Sequence, residues 1–124
     1  MNTKIVILIV SPPGDLQIGL QALLTTHMDA DVLVTGKVSS ALQVIERYKP
    51  VLVILDQDIQ KENAPRIIQE IKMRWPEIRC VVLVNDEKRQ GGFVDAGAEI
   101  IITKGFPGSK LIDEIKKVIK EENK

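Results

Sequence analysis

The stretch Val51-Leu52-Val53-Ile54-Leu55-Asp56 decides how this chain folds. Its apolar residues follow one another without a break and end at a carboxylate, unlike the alternating pattern of a strand with one face in water. An unbroken apolar run of this length indicates a strand buried on both faces, as in a parallel sheet. Further runs share the pattern, the second of them more weakly: Ile5 to Val10, Val32 to Val34, Cys80 to Val84 and Ile100 to Ile102.

Apolar residues at helical spacing separate these runs and predict amphipathic helices. The stripes are Leu16, Leu20, Leu23 and Leu24; Leu42, Val44, Ile45 and Tyr48; Ile67, Ile68, Ile71 and Trp75; and Leu111, Ile112, Ile115, Val118 and Ile119. Helix boundary signals agree, with candidate N-caps at Asp15, Ser39, Asn63 and Ser109 and prolines after two helices at Pro50 and Pro76. The alternation predicts an α/β domain of (βα)5 topology, a three-layer sandwich around a five-stranded parallel sheet.

The segment before the last strand leaves little room for a helix. Residues 86–92 are mostly charged and end in the adjacent glycines Gly91 and Gly92, which weaken a helix. We therefore expect the fourth helix to be short, late or frayed.

Length and composition predict one globular domain over residues 1–124, because 44% hydrophobic residues can form a single core. Lys plus Arg and Asp plus Glu number 17 each, so no net charge attracts nucleic acid or an anionic membrane. The run Ile5 to Val10 is shorter than the roughly 7–15 apolar residues of a signal peptide. We expect a cytoplasmic protein with neither a nucleic-acid nor a membrane partner.

Candidate functional residues directly follow the predicted strands. Ser11, Asp56, Asn85 and Lys104 come at or just after the ends of four of the apolar runs. In an open parallel sheet the carboxyl ends of the strands lie at one edge, and ligand sites form there near a switch in strand order. We therefore expect these side chains to share one crevice.

The chain resembles the receiver domains of two-component response regulators, which have a flavodoxin-like fold. The resemblance covers nearly the whole chain and rests on Asp56 and Lys104 and on the stretches Gly19 to Leu24, Val53 to Asp56 and Asp95 to Ala98. It implies that Asp56 is the phosphoacceptor equivalent, that Lys104 pairs with it, and that Asn85 takes the place of a hydroxyl that contacts the phosphoryl group. It also implies two adjacent acids after the first strand, where this chain has Ser11 and Pro12.

These substitutions remove charge that a metal ion would need. A carboxylate that attacks a phosphoryl donor approaches another anion, and Mg²⁺ held by hard oxygen ligands normally neutralises both. Ser11 offers a neutral hydroxyl and Pro12 no side-chain ligand, so only Asp56 and Asp58 remain as candidate metal ligands. We expect no metal and no cofactor, and a simple ion pair between Asp56 and Lys104. Mg²⁺ is required only if Asp56 still accepts a phosphoryl group.

Other chemistries have less support. The turn Ser11-Pro12-Pro13-Gly14 lies where nucleotide-binding domains have a phosphate loop, but its prolines lack N–H groups that such a loop needs. His27 is the only histidine, and Cys80 is expected to be a buried apolar residue, which argues against a zinc site. The serines have no histidine at plausible reach for a hydrolase triad.

Three functional hypotheses remain. The first is a pseudo-receiver of a two-component or phosphorelay system that is not an enzyme and acts by phosphorylation-independent protein–protein interaction. Its partner would be a sensor kinase, an output domain or another regulator, and a homodimer is one form of such contact. The second keeps Asp56 as a self-phosphorylating acceptor, with Asp58 or Asp15 replacing the missing acids. The third is a small-ligand-binding domain that uses the same crevice.

The resemblance also implies a contact face made of the fourth helix, the fifth strand and the fifth helix. In this chain the face comprises Glu87 to Val94, Glu99 to Ile102 and Lys110 to Lys120. An exposed Phe93 or Phe106 would anchor a partner there, with packing in the core as the alternative for at least one of them.

Overall fold

The computed structural model describes residues 4–59 and 63–122, in which strands and helices alternate. The strands are β1 (Ile5–Val10), β2 (Ala30–Thr35), β3 (Leu52–Asp56), β4 (Arg79–Val84) and β5 (Ile100–Thr103). The helices are α1 (Asp15–His27), α2 (Val38–Tyr48), α3 (Ala64–Arg74), α4 (Gln90–Ala96) and α5 (Gly108–Glu122). Short 3₁₀ turns at Gln57–Ile59 and Glu87–Arg89 follow β3 and β4. The predicted (βα)5 alternation is confirmed.

The five strands form one parallel sheet in the order β2-β1-β3-β4-β5. The strand order reverses direction at β1, which lies between β2 and β3. The register places the last residue of each strand opposite the last or next-to-last residue of its neighbour: Val10 with Leu55, Asp56 with Leu83, and Val84 with Thr103. The residues that leave the central strands therefore emerge at one edge, where a site was expected.

Helices cover both faces of the sheet. Successive residues of a strand point to opposite faces, so Leu8 and Val10 pack with α2, α3 and α4, while Ile7 and Ile9 pack with α1 and α5. Both sets are fully buried. This burial on two sides explains the unbroken apolar runs and confirms the flavodoxin-like three-layer arrangement.

Three of the four predicted N-caps were wrong. Helices α1 and α2 follow Gly14 and Lys37, and α5 begins at Gly108, so Asp15, Ser39 and Ser109 all lie inside their helices. Only Asn63 stands directly before its helix, and its side chain makes no capping hydrogen bond. Each N-cap prediction rests on a single local hydrogen bond, and the fold moves the start of these helices by one or two residues.

Within residues 4–59 and 63–122, no helix is long and apolar enough to cross a membrane.

The seven-residue helix α4 confirms the expectation of a short fourth helix. It ends because Gly97 takes the left-handed conformation, with φ of 104°, and the Ala98 N–H donates to the Phe93 carbonyl at 3.1 Å. The Phe93 side chain is buried beneath the helix. Phe93 is therefore a core residue, not an exposed anchor.

Candidate functional site

The side chains predicted to share a crevice lie at the carboxyl edge of the sheet. Asp56 is the last residue of β3, and Ser11, Asn85 and Lys104 directly follow β1, β4 and β5. Because β1, β3, β4 and β5 are consecutive neighbours in a parallel sheet, their ends bring these residues together. Pro12 is half-buried in the turn after Ser11.

The Asp56 carboxylate is buried, and both of its oxygens have partners. The residue is 4% exposed. Oδ1 lies 2.6 Å from the Lys104 Nζ and accepts a hydrogen bond from the Asp58 backbone N–H at 2.9 Å. Oδ2 accepts a hydrogen bond from the Ser11 hydroxyl at 3.3 Å. The predicted ion pair is present, and the surrounding donors compensate the charge that burial would otherwise destabilise.

Asp58 extends this ion pair into a larger cluster. Its Oδ2 lies 2.9 Å from the Lys104 Nζ, and its Oδ1 accepts a hydrogen bond from the Asn85 Nδ2 at 2.9 Å. Lys104 therefore bridges two carboxylates. The Asn85 amide, predicted as a phosphoryl contact, donates to Asp58. We call Asp56, Asp58, Asn85 and Lys104 the acidic cluster.

The two carboxylates determine the charge state of Lys104. Burial lowers the pKa of Lys104, but the hydrogen bonds to Asp56 and Asp58 and their negative charges raise it by more. The net pKa lies above the ordinary lysine value of 10.5. Lys104 therefore stays charged at physiological pH, and two carboxylates face a single ammonium.

Two glutamines that the sequence analysis did not single out hold the surrounding loops. Gln57 is buried, and its Oε1 accepts a hydrogen bond from the Asn85 backbone N–H at 2.8 Å. The Gln17 Nε2 donates to the Ser11 carbonyl at 2.8 Å and fixes the β1–α1 turn. A polar residue directly after a buried strand needs a hydrogen-bond partner, and this signal could have identified Gln57. Gln17 carries no comparable signal.

The Ser11 hydroxyl does not replace a missing acid. Ser11 is almost fully buried, and its Oγ lies 3.3 Å from the Asp56 Oδ2 and 3.2 Å from the Pro12 carbonyl oxygen. A hydroxyl has one proton, so it donates to one of these oxygens at a time and brings no negative charge. Pro12 contributes only its backbone carbonyl to the site.

A divalent cation does not fit this donor set. The candidate ligands were Asp56 and Asp58, and the Lys104 Nζ lies within 2.9 Å of an oxygen from each. Mg²⁺ needs several hard oxygen ligands, and beside these two carboxylates Ser11 offers only a neutral hydroxyl and Pro12 no side-chain ligand. In the part of the chain that the structure describes, no group of three or more His, Cys, Asp or Glu side chains could hold a metal ion.

Asp15, the second candidate replacement for the missing acids, is the exposed first residue of α1. Among the described residues, no hydrogen bond or ion pair joins it to Asp56. Asp15 and Lys104 both line a cleft of about 210 Å³, together with Leu20 and Phe106. The third hypothesis placed a small ligand in the crevice of Ser11, Asp56, Asn85 and Lys104, and of these only Lys104 lines this cleft.

Cys80 is buried, as the sequence predicted, and His27 is exposed. Cys80 is fully buried in β4, and burial, reinforced by the charge of Glu99, raises the pKa of its thiol to about 12. A neutral buried thiol is a poor nucleophile and a poor metal ligand. His27 is exposed in the last turn of α1, where a cation suits the helix dipole.

The predicted contact face contains a groove of about 490 Å³. Its lining includes Glu87 and Gln90, the residues of β5, and Phe106, Lys110 and Glu114. Phe106 is half-buried, and Val94 on α4 is 59% exposed. We call the surface formed by α4, β5 and α5 the α4–β5–α5 face.

Comparison with known proteins agrees with this fold. Residues 7–116 match the family model of the response regulator receiver domain. The transcriptional regulatory protein DegU of Brevibacillus brevis is 24% identical over 120 residues, which cover 94% of this chain and 51% of the relative. The response regulator protein VraR of Staphylococcus saprophyticus is 25% identical over 110 residues, which cover 86% of this chain and 53% of the relative. The chain thus spans about half the length of these relatives.

Solved structures share the fold at lower identity. The signal receiver domain of an HD domain-containing protein from Pseudomonas fluorescens Pf-5 has a TM-score of 0.88 and 18% identity, with 98% of each chain covered. A CheY-like response regulator receiver domain protein from Methanospirillum hungatei JF-1 has a TM-score of 0.88 and 17% identity, also with 98% of each chain covered. The order of the strands, the positions of Asp56 and Lys104 and the match over residues 7–116 agree: this chain belongs to the family of response regulator receiver domains.

Proposed function

We propose that this receiver domain is a pseudo-receiver, a signalling module that acts by protein contact while Asp56 stays unphosphorylated. The observation that carries the proposal is the donor set after β1, where the neutral Ser11 hydroxyl, 3.3 Å from the Asp56 Oδ2, and the Pro12 backbone carbonyl stand in place of two carboxylates. Without those acids, the acceptor carboxylate is paired with the Lys104 ammonium, whose Nζ lies 2.6 Å from the Asp56 Oδ1. The partner is a sensor kinase, an output domain or another regulator, and the chain has no catalytic activity of its own.

Electrostatics supports this role. A phosphoryl donor is an anion, and the acidic cluster already holds more negative than positive charge. Two like unit charges about 4 Å apart near a protein surface repel by roughly 4 kcal/mol. A divalent ion would remove this barrier, but Ser11 and Pro12 supply none of the carboxylate charge that would bind it. The barrier to attack by Asp56 therefore remains.

The proposal is tested by incubating the protein with acetyl phosphate and Mg²⁺ and measuring its intact mass. We expect no phosphoryl addition, and no metal-dependent change in the NMR spectrum with beryllofluoride. Stoichiometric addition to the wild-type protein that Asp56→Asn abolishes would show that Asp56 is a working acceptor and would overturn the proposal.

A variant with restored acids is the matched positive control. Ser11→Asp combined with Pro12→Asp places two carboxylates beside Asp56. We expect this double variant to bind Mg²⁺ more tightly than the wild type and to gain some phosphoryl addition at Asp56. If its Mg²⁺ affinity equals that of the wild type, the loss of these acids is not what disables the site.

We assign the partner contact to the α4–β5–α5 face, supported by its groove and by the exposed Val94. A second copy of the chain is the partner that can be tested directly by sedimentation velocity. We expect Val94→Asp to lower the dimer fraction, whereas Met73→Asp, at a 77% exposed position on α3, leaves it unchanged. A wild-type chain that stays monomeric would remove the homodimer from the proposal.

A further inference from the structure

We propose that Asp58 is a built-in anion that holds the β4–α4 loop in one position, so that the α4–β5–α5 face keeps its form without covalent modification. The inference rests on the proposed function, because it gives a permanent side chain the structural role that a transferred phosphoryl group would otherwise have. Asp58 would thus control the form of the α4–β5–α5 face, whichever partner binds there.

The contacts of Asp58 join three segments that follow different strands. Its carboxylate accepts a hydrogen bond from the Asn85 Nδ2, directly after β4, and lies 2.9 Å from the Lys104 Nζ, directly after β5. Asp58 itself belongs to the 3₁₀ turn after β3. A single carboxylate therefore connects the ends of β3, β4 and β5 through their loops. Hydrogen bonds to an ionised group are stronger than neutral ones, so the connection depends on the charge of Asp58.

The loop after β4 transmits this connection to α4. Asn85 is followed by Asp86, whose Oδ1 accepts a hydrogen bond from the Lys88 N–H at 2.9 Å and caps the 3₁₀ turn before α4. A Cβ atom built on Gly92 would lie 3.2 Å from the ring of Pro65 on α3, so α4 packs closely there. Asn85 therefore lies at the start of a short capped loop that leads directly into α4, and fixing Asn85 restrains this loop.

A second hydrogen bond to Asn85 confines the effect of Asp58 to the loop after β4. The Asn85 backbone N–H also donates to the Gln57 Oε1 at 2.8 Å. The Asp58 side chain is 43% exposed, and loss of a partly exposed charge contact has a modest effect on global stability. Removing the Asp58 charge should therefore loosen the loop while Gln57 keeps the strand end in place.

Amide hydrogen exchange of the full chain, measured by mass spectrometry over residues 85–96, tests the inference. We expect Asp58→Asn to exchange on the order of three to ten times faster than the wild type in this segment, with the exchange of β1 and β3 unchanged. Asp31→Asn is the matched control, because it removes the same charge at an exposed position on β2. It should leave residues 85–96 unchanged.

A second pair of variants tests the hydrogen bond between Asp58 and the Asn85 side chain. Asn85→Ala removes the donor, and we expect the double variant Asp58→Asn with Asn85→Ala to exchange no faster than Asn85→Ala alone. Unchanged exchange in Asp58→Asn, or an equal increase in Asp31→Asn, would overturn the inference. Either result would leave the proposed function standing, since phosphoryl addition to Asp56 is measured separately with acetyl phosphate on the wild type.

Discussion

Lys104 and Asp56 form an ion pair in which Nζ lies 2.6 Å from Oδ1, and the carboxylate of this pair is almost fully buried. Lys104→Met would leave the Asp56 charge with only the Ser11 hydroxyl and the Asp58 N–H as donors. We expect the free energy of unfolding to fall by about 2 kcal/mol, less than for a fully buried pair because the Lys104 side chain is 22% exposed. Urea denaturation followed by the fluorescence of the single tryptophan, Trp75, measures the change.

The double variant Lys104→Met with Asp56→Asn is the control for this prediction, because it removes both charges. It should be more stable than Lys104→Met alone by about 1 kcal/mol, since the uncompensated buried charge is gone. Both titrations need EDTA, so that no stray cation replaces the ammonium. A double variant no more stable than the single one would contradict the role of the ion pair.

The same pair predicts a dependence of stability on pH. The pKa of Lys104 is higher in the folded protein than its ordinary value of 10.5, because the contacts with Asp56 and Asp58 outweigh burial. Such a group contributes its full stabilisation below the unfolded pKa and loses it as the pH rises through the folded pKa. We expect the stability difference between the wild type and Lys104→Met to be constant at neutral pH and to shrink above about pH 10.5.

Urea titrations of both proteins across the alkaline range measure this difference. The Cys80 thiol, whose pKa burial raises to about 12, titrates in the same range. Its contribution is common to both proteins and cancels in the comparison. A difference that persists undiminished to the highest pH at which both proteins fold would contradict the prediction.

The sequence predicts the sheet well because each buried strand is a local pattern. The strand at Val51 to Asp56 and the other strands could be predicted without any distant residue, because a strand buried on both faces is apolar at nearly every position. The starts of α2 and α5 were misplaced because Ser39 and Ser109 are only local signals, and the backbone hydrogen bonds begin one or two residues earlier.

The geometry of the site was only partly predictable from the sequence. The positions of Asp56 and Lys104 were predicted from the ends of their strands, but the direction of the Asp58 side chain was not. Its partners Asn85 and Lys104 lie 27 and 46 residues further along the chain, so only the folded sheet brings them within reach. Gln57 carried a usable signal as a polar residue directly after a buried strand, but its partner, the Asn85 backbone, lies 28 residues further along the chain.

A second charged cluster lies at the amino end of β5 and predicts a purely structural effect. The Glu99 Oε2 lies 2.6 Å from the Lys72 Nζ and 3.6 Å from the Arg79 guanidinium, and its Oε1 accepts a hydrogen bond from the Cys80 N–H at 2.8 Å. We expect Glu99→Gln to lower the free energy of unfolding by about 1–2 kcal/mol, because two partly buried cations lose their carboxylate. Urea denaturation measures the loss.

Glu114→Gln is the matched control for this cluster. The Glu114 carboxylate is 37% exposed and lies 4.0 Å from the Lys117 Nζ, so its removal should change stability by less than about 0.5 kcal/mol. The Asn85 side-chain amide resonances should be the same in Glu99→Gln as in the wild type, since the two clusters share no contact among the described residues. Equal losses in Glu99→Gln and Glu114→Gln would refute the prediction.

Helix α4 contains the adjacent glycines Gly91 and Gly92, and these two positions should respond differently to alanine. A Cβ atom built on Gly91 has no neighbour within 4 Å, whereas one on Gly92 would lie 3.2 Å from the Pro65 Cγ. Gly91→Ala should therefore stabilise the protein by about 0.5 kcal/mol, because alanine loses less backbone entropy in a helix. Gly92→Ala has the same gain in helix propensity but must displace a ring fixed in the first turn of α3, so we expect it to be the less stable variant.

Urea denaturation ranks the two proteins, and slower hydrogen exchange over residues 90–96 in Gly91→Ala would show that the gain lies in α4 itself. The reverse ranking would mean that contact with Pro65 does not limit this helix.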